Sequence, residues 1–463
     1  MEYKSFKLKS SRPIKQDRLF RSDVVEEGLI HISKHIKDKS LKKLFNNCLP
    51  NTLDTTTYYF EDKKGNPNTY VVTGDIPAMW IRDSTNQIWP YLYFINKDIK
   101  IKKLFQGLIN KQAQFLFNDP YANAFIDRIN IKSNIKPYWR SGKAWNRSVW
   151  ERKYELDSIA SFFRLSHGYY IYTKDTSPFK SQWLKSVKVL LATIKTEQDQ
   201  LNKDNIDNLF RFYTPKGKTY PSVRMSGFGY PNKYTGLVRC LFRPSDDETV
   251  FPYIISSNAM MVVMLKNITD LLSVLRQDIL ADEVKILAQC IDDGIKKYGI
   301  FNHHKYGDIY GYEVDGFGSR LLMDDPNVPS LLSLPYIGYT EITDKIYLST
   351  RLFILSEDNS FYVKGKVTSG LTSPHTQILN YFWPIATIMQ ALTTDNKEEI
   401  IHCIKVLNKT HAGTYFMHES VNVDNPNKYT RPWFGWANSM FGELIIHLYE
   451  KHPQILAHDF SIK

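Results

Sequence analysis

Thr73-Gly74-Asp75-Ile76-Pro77-Ala78-Met79-Trp80-Ile81-Arg82-Asp83-Ser84 is the stretch from which the rest of the chain is read. It sets a Gly turn, a Pro, a Trp, an Arg and two carboxylates immediately before a helical pattern with Ile88, Trp89, Tyr91 and Leu92 on its apolar side. Asp83 or Ser84 is suited to cap that helix, because a short oxygen acceptor satisfies the first free amide donors. Taken alone, such a loop reads as a well-capped helix start. Its recurrence changes that reading.

Comparable loops, dense in rings, acids and Arg, precede later helices. They are Tyr154-Glu155-Leu156-Asp157-Ser158, Phe242-Arg243-Pro244-Ser245-Asp246-Asp247-Glu248, Glu313-Val314-Asp315-Gly316-Phe317-Gly318, Met323-Asp324-Asp325, Met417-His418-Glu419-Ser420 and Arg431-Pro432-Trp433. Rings beside carboxylates at helix starts point to one shared polar pocket with stacking walls. A sugar has apolar C–H faces and a rim of hydroxyls, so this is the chemistry a carbohydrate site requires.

Around these loops the chain reads as helix after helix. Residues 23–46 have helical spacing, and Thr55–Phe60 and Thr69–Thr73 read as a hairpin about Lys63-Lys64-Gly65-Asn66-Pro67. Apolar periodicity then predicts helices near 84–96, 101–118, 155–174, 179–202, 255–276, 277–298, 326–337, 341–356, 375–393, 396–409 and 432–450. Connections within a pair are short, while those leading to the next pair are long and carry the motifs. The longest, 203–254, is rich in Tyr, Gly and Pro, and a loop of that length in a compact domain is more often functional than idle. Twelve helices in six hairpins, with long loops at one end, fit an all-α (α/α)6 barrel. The strand–helix alternation of a parallel sheet is missing. One catalytic domain over residues 1–463 is expected, with 1–22 as a basic N-terminal extension.

Composition narrows the function. Hydrophobic residues at 43% and charged residues at 23% describe an ordinary globular protein, whereas aromatics at 14% are high. The net charge of +12 comes from Lys spread along helix faces, with no block of like charges and no nucleic-acid motif. We read it as a solvated surface, and expect no nucleic-acid partner. Cys48, Cys240, Cys290 and Cys403 are far apart, without metal-site spacing, and read as reduced, packed thiols. No apolar run is long enough for a membrane span, and the N-terminus lacks the apolar core of a signal peptide, so a cytoplasmic location is expected.

The chain has no zinc-binding H-E-x-x-H, phosphate loop, nucleophile elbow or calcium loop. His303-His304 lacks a third spaced ligand and reads as a surface turn. His375 and His418 sit in motif loops, where each suits a bond to a sugar hydroxyl as well as it suits a bond to nearby backbone. What remains for an acid-rich cup is acid/base work: one carboxylic acid to protonate a leaving oxygen, one carboxylate to act on the anomeric carbon or a water. Asp246-Asp247-Glu248 offers the crowding that raises a carboxyl pKa, and Glu419 is the partner on a different loop. Arg82 and Arg431 suit hydroxyl or carboxylate clamps. For any single acid, a cap or an Arg partner is the competing reading.

With these residues in view, the chain resembles glycoside hydrolase family 125, the exo-acting α-1,6-mannosidases. The resemblance rests on Thr73–Ser84, Tyr154–Ser158, Phe242–Asp247, Tyr312–Gly318, Met323–Tyr336, Ser373–Thr376, His418–Ser420 and Thr430–Leu444, which run in family order. It implies an (α/α)6 barrel, no metal or other cofactor, inversion of configuration, and a mannose-containing oligosaccharide with an α-1,6-linked terminal mannose, as in trimmed N-glycans. Carried over by position, it implies Asp246 as general acid, with Asp247 as the substitute, and Glu419 as the base that activates water. Trp80, Arg82, Asp83, Glu155, Asp157, Arg243, Asp247, Asp315, Asp324, His375, His418, Arg431 and Trp433 are the expected substrate-binding residues. A monomer is expected. The competing readings are another (α/α)6 glycosidase, a phosphorolytic enzyme, and a non-catalytic carbohydrate-binding protein, which would need walls and hydrogen bonds but no water-activating base.

Overall fold

The computed structural model describes residues 1–135, 140–141, 148–198, 212–213, 223–378 and 380–460. Most of the long 203–254 loop up to residue 222, and the predicted helix end at 199–202, lie outside them. The helices are α1 (Asp23–Ser33), α2 (Lys39–Cys48), α3 (Asn51–Thr55), α4 (Ile81–Ile88), α5 (Ile99–Asn118), α6 (Leu156–Thr173) and α7 (Ser181–Gln198). They continue as α8 (Ile255–Val274), α9 (Asp278–Gly294), α10 (Lys345–Ile354), α11 (Pro384–Leu392), α12 (Lys397–Lys409), α13 (Gly435–Lys451) and α14 (Pro453–Leu456). The expected hairpin forms between β1 (Thr57–Glu61) and β2 (Pro67–Val71), with Thr57 opposite Val71.

The helices sort into two rings. In the inner ring α4 packs on α6, α6 on α8, α11 on α13, and α13 returns to α4. Every residue of α4 is buried, and most of α6, α8, α11 and α13 is. Helices α5, α7, α9, α10 and α12 form the outer layer, and this arrangement is an (α/α)6 barrel.

Four predicted helices differ, each for a backbone reason. Residues 326–337 form turns, because Pro326, Pro329 and Pro335 remove amide donors from the pattern. This segment still fills the sixth inner position: Ser256 of α8 donates to the Pro329 carbonyl at 3.2 Å, and the Tyr336 hydroxyl donates to Glu443 of α13 at 3.0 Å. The 84–96 helix stops at Ile88, and Pro90 turns Trp89–Phe94 into a 3-10 helix. Residues 23–46 divide where Asp38 caps α2 through the Leu41 amide, 2.7 Å away. The 375–393 helix begins only at Pro384, after a separate turn at Pro374–Thr376.

Capping differs between the inner ring and most helices outside it. Helices α2, α5, α10 and α12 begin with Asp38, Asp98, Asp344 and Asn396, each accepting from a first-turn amide, whereas α9 follows Gln277 without a side-chain cap. The inner helices α4, α6, α8, α11 and α13 follow Trp80, Glu155, Ile254, Trp383 and Phe434, and none has a side-chain cap. Asp83 and Ser84, expected as caps, lie within the first turn and at the fourth residue of α4 instead. Asp83 in α4 and Asp157 in α6 set carboxylates in the first turns, beside the positive helix ends that meet the rim of the cup.

Short sheets tie the rim together. Met79–Trp80 pairs with Ala124–Phe125, which pairs with Val149–Glu151. Tyr253–Ile254 pairs with Glu313–Val314, and Tyr381–Phe382 with Val421–Asn422. Gly74 bridges to Phe434, joining the loops ahead of α4 and α13. Gly74 has φ +139°, and a Cβ there would lie 2.3 Å from the Trp433 carbonyl oxygen, so only glycine allows this approach.

Below the rim, Arg164 of α6 ties neighbouring inner elements together. It donates to Asn86 of α4 at 2.6 Å and to the Tyr336 hydroxyl at 2.8 Å, with its guanidinium over the Trp89 ring. Arg164 and Glu443 each lie about two helical turns, roughly 11 Å, below the starts of their helices.

Candidate active site

A cavity of about 410 Å³ opens where the inner helices begin, lined by Trp80, Arg82, Asp83, Trp150, Glu151, Lys153, Asp246, His375 and Arg431 among others. Trp80 and Trp150 pack with Ala78, Ala124 and Ile126 in a small apolar cluster apart from the main core, which makes them a rigid wall.

Arg82 anchors the floor. Its guanidinium donates to Glu155 at 2.6 Å and Asp157 at 3.1 Å, and lies 3.3 Å from Asp83 and 3.6 Å from Asp246. Glu155 and Asp157 therefore sit behind Arg82 as its counter-ions, fully sealed from solvent. Burial pushes the Asp83 carboxyl up to about 6 against the pull of Arg82. Nearby Asp246 adds to the rise and Arg431 opposes it.

Asp246 reaches the cavity from a loop residue with φ +68°, a left-handed conformation that Asp tolerates better than most residues. Its Oδ1 accepts from Trp80 Nε1 at 3.2 Å and from Asn123 Nδ2 at 3.0 Å. Asp247 points away from it and meets His375 Nδ1 at 3.2 Å. Burial would lower the His375 pKa, but the Asp247 carboxylate outweighs it and lifts it to about 9, so the ring is a cation at neutral pH.

Beside Arg431, Glu419 is buried and accepts from the Thr430 hydroxyl at 3.1 Å and from Arg431 at 3.4 Å. Arg431, also left-handed at φ +45°, turns its other face to Asp75. Strained backbone at both Asp246 and Arg431 is characteristic of residues held in place for a site.

The other sequence-predicted residues stand further back. Arg243 is buried against Glu313 at 2.6 Å. Asp315 accepts the amides of Phe317, Gly318 and Ser319, which shapes its own loop. Asp324 accepts the Leu331 and Leu332 amides within the turn segment. His418 stacks on Tyr429 with centroids 3.8 Å apart, and burial lowers its pKa to about 4, leaving it neutral behind Glu419. Trp433 donates to Thr55 and packs on Tyr3 and Phe6, which fixes the carbonyl that Gly74 approaches.

Five residues at the site were not among the sequence-predicted ones: Asp75, Asn123, Trp150, Glu151 and Lys153. Asp75 lies in the opening stretch itself, and Trp150-Glu151-Arg152-Lys153 runs directly into the Tyr154 motif, so the signal was there in the same mixture of ring, acid and base. Asn123 had none, since a single amide in a loop carries no pattern. Among the described residues no group of three or more His, Cys, Asp or Glu side chains is arranged to hold a metal ion. His303 ends the strand Ile300–His303 and stacks on His304, which begins the exposed turn that follows.

Comparison with known proteins gives the family and the fold. Residues 38–446 match the family described as metal-independent alpha-mannosidase (GH125). The Meiotically up-regulated gene 157 protein of Schizosaccharomyces pombe is 42% identical over 472 residues, covering 98% of this chain and 91% of that protein. A Streptococcus pneumoniae structure from a study of metal-independent alpha mannosidases, solved as a non-productive complex with alpha-1,6-mannobiose, superposes with TM-score 0.86. It is 36% identical and covers 94% of this chain and 100% of the other. A bacterial glucoamylase complexed with acarbose shares the fold alone, with TM-score 0.55 at 12% identity over 90% of this chain and 57% of its own. The chain therefore belongs to glycoside hydrolase family 125, the metal-independent α-mannosidases.

Proposed function

We propose that the enzyme is an exo-acting, inverting mannosidase that releases a terminal α-1,6-linked mannose, with Asp246 as general acid and Glu419 as general base. The observation that carries this reading is the grouping of Asp246 with Arg82, Asp83, His375 and Arg431 on one cavity, while Arg431 bonds Glu419 at its edge. The alpha-1,6-mannobiose bound by the Streptococcus pneumoniae relative supports the linkage.

In the proposed reaction, Asp246 gives its proton to the glycosidic oxygen as the C1–O bond breaks and the electron pair moves to that oxygen. Water attacks C1 from the opposite face, and Glu419 takes its proton. Arg82 and Asp83 bind hydroxyls of the terminal sugar, and Trp80 supplies a stacking face. Inversion requires carboxyls roughly 6.5 to 9.5 Å apart, with room for a water between them.

Proton NMR of α-1,6-mannobiose during digestion tests the reading, with β-mannose expected as the first anomer. First release of α-mannose, or turnover that depends on added phosphate, would overturn it. D246N and E419Q should each lower kcat on mannobiose by about 10²–10⁴-fold with the thermal midpoint near wild type. Full activity in either variant would remove that residue from its role.

A further inference from the structure

Asn123 sits at a junction the proposed chemistry does not yet use. Its side chain is fully buried, and its carbonyl oxygen is fixed by the Lys153 backbone amide at 3.1 Å. Its amide nitrogen therefore faces three carboxyl oxygens, from Glu151, Glu155 and Asp246, each 3.0 Å away. An amide nitrogen carries two hydrogens. Trp80 gives Asp246 a further donor and Lys153 pairs with Glu151, but three carboxylate oxygens crowded on one nitrogen repel one another, and a proton held by one of them relieves that repulsion.

The surrounding charges point the same way. Asp83, Glu151, Glu155, Asp157 and Asp246 surround two cations, Arg82 and Lys153, the latter 3.4 Å from Glu151. His375 and Arg431 also face the cavity, but each is already matched by its own acids, Asp247 for the first and Asp75 with Glu419 for the second. Cys240, whose Sγ meets the Leu156 amide behind Glu155, adds no charge. Excess negative charge in a buried cluster is relieved by keeping a proton. Glu155 is sealed completely, whereas the Asp246 side chain is 17% exposed on the cavity, so the neutral form is cheaper on Glu155.

We propose that Glu155 stores the proton that Asp246 delivers to the leaving oxygen, with Asn123 holding the two carboxyls in line. The inference rests on Asp246 being the acid. Glu155 acts only through Asp246 and is a positioning residue. At rest the proton is on Glu155, bonded toward an ionised Asp246. A bound disaccharide removes water from Asp246, the proton crosses, and Asp246 passes it to the glycosidic oxygen as the C1–O bond breaks. Solvent then restores one proton to the pair. Titration agrees in direction: burial, with Asp246 adding to it, holds Glu155 well above the usual carboxylate range. Burial also works to raise Asp246, but the bond from Glu155, together with Lys153 and Arg82, outweighs it and holds Asp246 low.

The test compares two substrates. Dinitrophenyl α-mannoside has a leaving group that needs no protonation, whereas mannobiose needs it. E155Q should lose about 100-fold in kcat on mannobiose and less than about tenfold on the aryl mannoside, with the basic limb of its mannobiose pH profile moved to lower pH. D157N, which removes the other counter-ion of Arg82, should lower both substrates alike. Should E155Q fold poorly, N123S gives the same comparison and should show the same bias. Equal losses of E155Q on both substrates with an unmoved basic limb would reduce Glu155 to a partner of Arg82 and overturn the proposal, as would undiminished mannobiose turnover. Wild-type mannobiose turnover, together with selective loss in D246N, checks the underlying reading separately.

Discussion

Arg82 is the cation on which four acids of the candidate site, Asp83, Glu155, Asp157 and Asp246, converge. Removing a cation from a buried network leaves its acids uncompensated. R82M should therefore cost about 3–5 kcal/mol of stability, read as a lowered urea midpoint, beyond any loss of binding. At this scale the chain was legible wherever chemistry clustered in sequence, so Arg82, Asp83, Asp246 and Arg431 stood out before the fold was seen. Asn123 did not, because its importance comes from three acids contributed by other segments. Asp324 shows the converse. It sits in a motif, yet its carboxyl is consumed by the Leu331 and Leu332 amides of its own turn.

At the scale of elements, the rim depends on contacts between loops that are far apart in the chain. Gly74 lies against Trp433 and Phe434 and so joins the approach to α4 with the approach to α13. G74A should destabilise the protein by about 1–3 kcal/mol through backbone strain and also raise KM, because Asp75 and Arg431 flank the same contact. Thermal unfolding and steady-state kinetics read the two effects. Helices were legible from periodicity because burial of one face sets it. The sixth inner element was not, because Leu331, Leu332 and Leu334 keep helical spacing while prolines deny the backbone a helix.

At the scale of the whole molecule, buried titratable groups set the pH dependence of stability. Burial raises Asp83 to about 6, Asp324 to about 8 and Glu443 to about 7, and Asp247 lifts His375 to about 9. In each case the folded chain holds a proton that the unfolded chain has released, so this stability is lost as pH rises through those values. His418, lowered to about 4 by burial, works the other way and costs stability as pH falls below about 6.5. The three carboxyls begin to lose this stability above their unfolded values of about 4 and outnumber His418, so the thermal midpoint should decline from about pH 5 toward pH 9. A midpoint that rises between pH 7 and pH 9 would contradict these assignments.

Asn86, Arg164, Tyr336 and Glu443 form a bonded chain across α4, α6, the 326–337 segment and α13. Lying below the helix starts, it closes the floor of the chamber, which is in effect a cul-de-sac. A polymer cannot be threaded through such a chamber, which favours the proposed trimming of a chain tip. The freed monosaccharide must also back out before the next tip is admitted. Free mannose should accordingly compete with substrate, raising apparent KM while leaving kcat untouched, and inhibition of any other form would argue for a second exit.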